Sequence, residues 1–230
     1  MVSEYPTQPE ARLLYYAALC RFRTIVEHLT LTYPTDVNAV CGATETPLNA
    51  AFMKQDVETA HVLLENGAIT NIVDVSGERL LHRGTKFGLY AGVKLLLEHQ
   101  ADVNMQTREG RTSLDMAAHA GELDICRLVP QYGANIAHKG GEGWGPMHLA
   151  SCNGQFCIVQ ELLVHGADPD AQCENLWTPL HVASGFEIVQ LLVQHGAVLD
   201  KTTTNQETAL HVTSRRSGTV KIARFLIQHT

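Results

Sequence analysis

The sequence predicts an all-α fold, a solenoid of stacked helix-turn-helix units joined by hairpin-like turns. Three observations predict it. A short phrase recurs along the 230-residue chain at a constant spacing of 33 residues. Each copy opens with a helix-start signal, and each is followed by a second apolar segment that ends near a glycine. A pair of short helices cannot bury its apolar face alone, so neighbouring pairs must stack.

The repeated phrase sets the expected boundaries. It reads TPLNAAF at Thr46, RLLHRGT at Arg79, TSLDMAA at Thr112, GPMHLAS at Gly145 and TPLHVAS at Thr178. A last copy, TALHVTS, follows at Thr208 after only 30 residues. We predict an N-terminal tail (1–11) and one domain of about seven repeats (12–230), divided into 12–45 (degenerate), 46–78, 79–111, 112–144, 145–177, 178–207 (shortened) and 208–230 (incomplete).

Each unit has a physical interpretation. A threonine at the N-cap accepts a hydrogen bond from a free amide of the first turn, and proline is tolerated directly after it, as at Thr46 and Thr178. The second helix carries an Ile-Val-x-Leu-Leu pattern. Left-handed glycine C-caps are expected to follow at Gly67, Gly133, Gly166 and Gly196.

The period and the Thr-Pro-Leu-His phrase resemble the ankyrin-repeat family. The resemblance extends from about Arg12 to the last residue. It implies L-shaped units whose hairpin tips and first helices form a concave face that binds proteins. The opening stretch LLYYAALCRFRTIVEHL is also similar to the start of ankyrin arrays attached to fungal nucleotide-binding receptors of the NACHT type.

Several positions depart from the pattern. Gly84 replaces a packing alanine and Gln100 replaces a capping glycine, so the third unit is expected to be locally soft. Pro130 should end or kink its helix near Val129. The three residues missing from the sixth unit should end its first helix close to Ser184 or Gly185. Because no polar outer face is visible after Thr208, we expect further repeats or another chain to cover that end.

Composition narrows the function classes. The formal net charge is −7, which gives no electrostatic attraction to nucleic acid. No stretch has the length and apolarity of a membrane span, and no secretion signal is recognisable, so a cytoplasmic location is expected, with the nucleus left open. The six cysteines form no paired framework and are interpreted as reduced, space-filling thiols.

The twelve histidines are interpreted as structural. His82, His148, His181 and His211 take the fourth place of the phrase, where an imidazole can bond a neighbouring turn and hold adjacent units in register. His99, His165, His195 and His229 lie in the last turn of second helices, where a donor complements free carbonyls. No metal-ligand spacing, phosphate loop or nucleophile motif is present, so neither a cofactor nor a metal is expected.

Binding residues are expected at hairpin tips and at the exposed ends of first helices. The repeat register gives the tips as 41–45, 74–78, 107–111, 140–144, 173–177 and 203–207. Both tryptophans fall at the same repeat position, and tryptophan and arginine are enriched at interface hot spots. The candidate partner-binding residues are Phe87, Arg108, Glu109, Arg111, His119, Glu142, Trp144, Glu174, Asn175 and Trp177. Each indole could equally lie flat along its hairpin and only fill space.

The main hypothesis is therefore a non-catalytic module that binds a protein partner of unknown identity through the concave surface of its central repeats. The alternative is an enzyme or small-molecule sensor that uses His119, Glu109 and Arg111 in the same groove. A deep enclosed cavity would favour the alternative, and an open groove would favour the protein-binding module. Asn104 is first of all a turn former, although it resembles the hairpin asparagines that are hydroxylated in many ankyrin proteins.

Overall fold

The computed structural model describes residues 9–41, 45–73, 77–216 and 219–229. Within these residues the predicted all-α fold is confirmed, since the described backbone forms helices and, outside them, only isolated bridges such as Cys41 with Glu45. The chain divides into two compact units, Met1–Asp102 and Val103–Thr230, and each is described by itself.

The first unit contains three helix pairs among its described residues. First helices pack against first helices and second helices against second helices, which buries a core around Leu48, Leu63 and Leu96. The first helix begins at Pro9, ahead of Arg12. The helices are α1 (Pro9–Leu19), α2 (Arg23–Thr32), α3 (Pro47–Met53), α4 (Val57–Glu65), α5 (Leu80–Lys86) and α6 (Tyr90–Glu98).

The second unit repeats this arrangement with four helix pairs in its described part. Its core includes the fully buried Leu114, Ile158 and Leu192. The helices are α7 (Ser113–Ala120), α8 (Leu123–Leu128), α9 (Pro146–Cys152), α10 (Phe156–Val164), α11 (Pro179–Val182), α12 (Phe186–Gln194), α13 (Ala209–Ser214) and α14 (Val220–His229).

The hairpin tips lie where the repeat register predicted them. In four of them, the amide of the first tip residue donates to the carbonyl of the fifth, which closes a tight turn. The pairs are Thr107 with Arg111, Gly140 with Trp144, Cys173 with Trp177 and Thr203 with Glu207. The tips 41–45 and 74–78 lie partly outside the described residues, although the amide of Cys41 also donates to the carbonyl of Glu45.

The helix caps follow the sequence with one difference. Gly67, Gly133, Gly166 and Gly196 all have positive φ, as predicted, and Gln100 adopts the same left-handed conformation at φ 61° without being glycine. Thr46 accepts from the amide of Asn49, as expected. At Thr178 the cap differs, because its amide and hydroxyl both bond to His181 Nδ1 (3.1 and 2.8 Å).

Two of the fourth-position histidines bond the first helix of a repeat to the hairpin that ends the same repeat. His181 accepts from the amide of Thr178 at Nδ1, so its Nε2 carries the proton that is donated to the carbonyl of Glu207 (3.1 Å). His148 does the same between Gly145 and the carbonyl of Trp177 (3.4 and 3.0 Å). Both rings are buried, and burial lowers the pKa of each below its usual value. The predicted bond from the imidazole to a neighbouring turn is confirmed for these two residues, and its role in holding adjacent units in register stays a prediction.

The repeat 112–144 has a carboxylate at the fourth position, where the next two repeats have an imidazole. Asp115 takes the fourth position of its phrase and accepts from the amide of Thr112 (2.8 Å). His138, from the following hairpin, places Nδ1 2.7 Å from the same Asp115 carboxylate. Both side chains are buried, and burial raises the pKa of Asp115 against the opposing effect of Thr112 and His138. A side-chain pair here replaces the bond from histidine to a backbone carbonyl.

The last-turn histidines also behave as predicted. His165, His195 and His229 each donate from Nδ1 to the carbonyl four residues earlier, at 2.8 to 2.9 Å. The ring of His99 instead packs edge-on against that of His61.

Gly84 is not the packing defect that the sequence suggested. The buried ring of Phe52 lies against it, so a Cβ at Gly84 would stand 2.7 Å from Phe52 Cζ. Gly92 on α6 faces the same ring, where an added Cβ would stand 2.6 Å from Phe52 Cε2. The two glycines form a slot for a large side chain, so Gly84 is required by packing, while the expected softness of the third unit stays a prediction.

Two other irregularities follow the sequence more closely. The helix α8 ends at Leu128, and Val129–Tyr132 continue as a single 3₁₀ turn around Pro130, as predicted. The shortened helix α11 ends at Val182, slightly earlier than expected. Arg216 compensates, because its guanidinium donates to the carbonyls of Val182 and Ala183 (3.5 and 3.4 Å), which the lost turn leaves free.

The slot around Phe52 generates a stability prediction. Gly84→Ala should lower the free energy of unfolding by about 1–3 kcal/mol, because overpacking outweighs the better helix propensity of alanine. Chemical denaturation measures the change. In a Phe52→Leu background the smaller side chain relieves the contact with the ring, so there the same substitution should cost less, and the remaining cost comes from Val93 Cγ2, which lies 2.9 Å from the added Cβ. A stabilising Gly84→Ala in the natural background would contradict the slot.

The buried histidines generate a pH prediction. Their folded pKa lies below the ordinary value of 6.5, so the unfolded chain binds more protons as the pH falls through 6.5. The contribution of these two histidines to the free energy of unfolding should therefore be fully present above this pH and be lost as the pH falls below it. Urea midpoints at pH 7.5 and 5.5 measure the loss, and the double variant His148→Gln, His181→Gln should show a smaller difference. An equal pH dependence of the urea midpoint in that variant would contradict this prediction.

Candidate interaction groove of the second unit

The ten predicted binding residues are divided between the two units. Phe87 lies in the first unit, where it caps the end of α5 and is 57% exposed. The other nine lie in the second unit. Five of those nine line a single cavity, and the remaining four lie elsewhere on the hairpins.

This cavity, here called the central groove, has a volume of about 420 Å³. It lies between two successive hairpins and the ends of the two first helices that follow them, α7 and α9. Glu109, Arg111, His119, Glu142 and Trp144 are the predicted residues that it contains. The groove is completed by Gly141, Leu149, Cys152 and Asn153.

The two hairpins approach closely because of glycine. A Cβ at Gly140 would lie 2.9 Å from the carbonyl oxygen of Gly110, and one at Gly141 would lie 3.1 Å from that of Glu109. Side chains larger than hydrogen would force the tips apart and widen the groove. The glycine-rich segment around Gly140 is therefore a hairpin tip, as the sequence analysis interpreted it, and its glycines set the width of the groove.

A hydrogen bond across the groove orients His119. The side-chain amide nitrogen of Asn153 lies 3.1 Å from His119 Nδ1 and also donates to the carbonyl of Leu149 (2.8 Å). Because an amide nitrogen can only donate, His119 Nδ1 is the acceptor, and the neutral ring carries its proton on Nε2. His119 thus presents a donor to a ligand rather than a base at Nδ1.

Charge in the groove is mixed. Hydrogen bonds from Thr107 and from its own amide lower the pKa of Glu109, with a further contribution from Arg111 and Arg108. Glu109 is therefore anionic at neutral pH. Glu142 is exposed and holds a left-handed backbone at φ 59°, which is uncommon for a residue other than glycine. Two carboxylates and the guanidinium of Arg111 thus surround Trp144 and Leu149.

The two tryptophans are equivalent in register but not in surroundings. Both are half-buried, and each ring packs against the histidine four residues later, with centroids 5.7 Å apart for Trp144 and His148 and 5.9 Å for Trp177 and His181. This geometry supports the interpretation that they fill space. Trp144 also lines the central groove, whereas Trp177 does not.

The other predicted residues belong to the same row of tips. Arg108 is exposed beside Glu109. The amide of Glu174 donates to the carbonyl of Glu142, and the carbonyl of Asn175 accepts from Thr204 (both 3.1 Å). Their backbones therefore link successive hairpins, while their exposed side chains lie outside the groove.

Four groove residues were not selected as candidates, namely Gly141, Leu149, Cys152 and Asn153. The repeat register assigned Gly141 to a hairpin tip and Cys152 with Asn153 to the end of a first helix, but the choice among these positions omitted all three. Cys152 also corrects the interpretation of the cysteines. All six are free, as expected, but Cys20, Cys152 and Cys157 are exposed, and only Cys126 and Cys173 are buried. Leu149 is buried within α9 and gave no signal of exposure.

Asn104 is a hydrogen-bonding turn residue. The side-chain nitrogen of Asn104 donates to the carbonyl of Gly133 (2.9 Å), and its side-chain oxygen accepts from the backbone amide of Asn135 (2.8 Å). The side chain thereby ties one hairpin to the next. Its hydroxylation stays a prediction, which the mass of one added oxygen in the peptide that contains it would test.

The described residues were also compared with what a metal site or a membrane-spanning helix requires. They contain no cluster of three or more His, Cys, Asp or Glu side chains arranged to hold a metal ion. No helix in the described part of the chain combines the length and apolarity needed to cross a bilayer.

Comparison with known proteins gives relatives that share parts of the chain. An E3 ubiquitin-protein ligase, KEG, from Arabidopsis thaliana is 36% identical over 90 residues, which cover 39% of this chain and 5% of the relative. The human ankyrin repeat and SOCS box protein 16 is 30% identical over 121 residues, 52% of this chain and 27% of that protein. The chain thus spans only a small part of either.

A shorter relative is covered more fully. The Notch-regulated ankyrin repeat-containing protein A of Danio rerio is 31% identical over 91 residues, which make up 38% of this chain and 81% of that protein. A family model described as ankyrin repeats (3 copies) matches residues 14–107 and 147–230, and a second, ankyrin repeats (many copies), matches 89–129. Together with the helix pairs, the closed hairpins and the linking histidines, these matches show that the chain belongs to the ankyrin-repeat family.

Proposed function

We propose that this chain binds a protein partner through the central groove of its second unit. Ankyrin repeats are in general protein-interaction modules, and the family is typically non-enzymatic. The observation that carries the proposal is that five of the ten candidate residues line one cavity. In this proposal Trp144 and Leu149 supply apolar contact, while Arg111, Glu109 and Glu142 fix the orientation of the partner.

The groove has the composition of an interface centre rather than of a reactive site. Tryptophan and arginine are the residues most often found at binding hot spots, and both are present beside an apolar side chain. The alternative, a small-molecule sensor or enzyme, would use His119, Glu109 and Arg111. His119 Nδ1 is already engaged by Asn153, so it is unavailable as a general base.

Cys152 offers a direct test, because it is an exposed thiol within the groove. A photoreactive group would be attached there in the full chain, after Cys20→Ser, Cys41→Ser and Cys157→Ser. We expect a partner protein to be cross-linked from extract. Trp144→Ala should abolish its capture, whereas Trp177→Ala, at the equivalent position outside the groove, should retain it.

The captured partner, once purified, allows affinity to be measured by calorimetry. Trp144→Ala should weaken binding by about 2 kcal/mol or more, roughly thirtyfold, as is usual for a hot-spot residue. Helical circular dichroism and melting identify any loss of folding in that variant. Arg111 is exposed, so Arg111→Ala provides a second variant that removes a groove side chain without disturbing the packing against His148. Binding that survives both substitutions would place the interface elsewhere.

A further inference from the structure

A second cavity of about 450 Å³ lies on the second helices of the last two pairs, away from the hairpin tips. We call it the outer pocket. It is formed by α12 and α14 and is lined by Phe186, Val220, Lys221, Arg224, Phe225 and Gln228. None of these residues lines the central groove, so the proposed function does not account for them.

Aromatic rings form the apolar part of the outer pocket. Phe186 and Phe225 pack edge to face, with centroids 5.6 Å apart, and the ring of His229 lies 4.1 Å from that of Phe225. The ammonium of Lys221 stands 4.0 Å from the centroid of Phe186. This cation–π contact holds the charged group at the rim of the aromatic surface. Val220 adds apolar area that is 65% exposed.

The polar part of the pocket is cationic. Lys221 and Arg224 are both exposed, and neither forms an ion pair with a carboxylate among the described residues. No carboxylate lines the pocket, and the acidic side chain closest to it in sequence is that of Glu187, next to Phe186. The segment 208–230 contains four Lys or Arg residues and no Asp or Glu, although the whole chain carries a net charge of −7. The positive charge is therefore local.

We propose that the outer pocket binds an acidic segment of a protein partner. A carboxylate of that segment would pair with Arg224, whose planar guanidinium suits bidentate contact, and with Lys221. A neighbouring apolar side chain would pack against Phe186 and Phe225. Two cations beside aromatic rings suit a short peptide better than nucleic acid or an anionic membrane, since these bind through wider basic surfaces that neutralise many phosphates.

The test uses a short fluorescein-labelled peptide of Asp and Glu around a central Phe-Leu pair, titrated with the full chain and followed by anisotropy. The control peptide has Asn and Gln at the acidic positions. We expect the acidic peptide to bind at least about tenfold more tightly, and Lys221→Glu with Arg224→Glu to remove this preference. The matched control, Lys54→Glu with Lys94→Glu, changes the net charge equally at exposed positions of the first unit and should leave binding unchanged.

Three results would overturn the proposal. The acidic and neutral peptides could bind equally, or the Lys221 and Arg224 reversal could bind like the natural chain. The third is binding of phosphatidylserine vesicles or of single-stranded DNA, removed by the same reversal, in the absence of peptide binding. The outer pocket and the central groove share no lining residue, so these results test the outer pocket alone. Trp144→Ala should leave binding of the acidic peptide unchanged.

Discussion

The second unit depends on a buried polar side chain at the fourth position of three of its four phrases, namely Asp115, His148 and His181. An imidazole there accepts from the amide that begins its own helix and donates to the carbonyl that closes the next hairpin, as His148 and His181 do. Both bonds require a neutral ring, and burial keeps it neutral. One side chain thereby fixes the start of a helix and the position of the next hairpin. Where Asp115 takes this position, His138 places Nδ1 2.7 Å from its carboxylate.

The central groove lies in a row of linked hairpins. The hairpins 173–177 and 203–207 receive a histidine bond at the carbonyls of Trp177 and Glu207, and their tips bond the preceding tips through the amides of Glu174 and Thr204. Trp144 packs against the linking His148 and lines the groove with its remaining surface. A residue can therefore stabilise the repeat and contact a partner at once. This is why packing and recognition were not exclusive interpretations for the tryptophans.

The errors of the sequence analysis have a common physical cause, which is that the repeat period fixes position but not neighbours. Gly84 looked like a missing methyl group, but the methyl-sized space is taken by Phe52, which is distant in sequence. The lost turn of α11 leaves free carbonyls, and Arg216 from the next repeat satisfies them. Cys152 looked like a space-filling thiol and is exposed in the groove. In each case the deciding contact comes from another repeat.

The sequence by itself determined the helix pairs, the hairpin tips, the capping glycines and the break at Pro130, because these depend on local backbone preferences and on the 33-residue period. It also placed five of the groove residues among its ten candidates, because the register assigns tips and helix ends. Tertiary structure decided which candidates meet in one cavity, why Trp177 lies outside it, and where an unpaired cationic surface borders two phenylalanine rings. These depend on distances between repeats and on burial, which no single repeat contains.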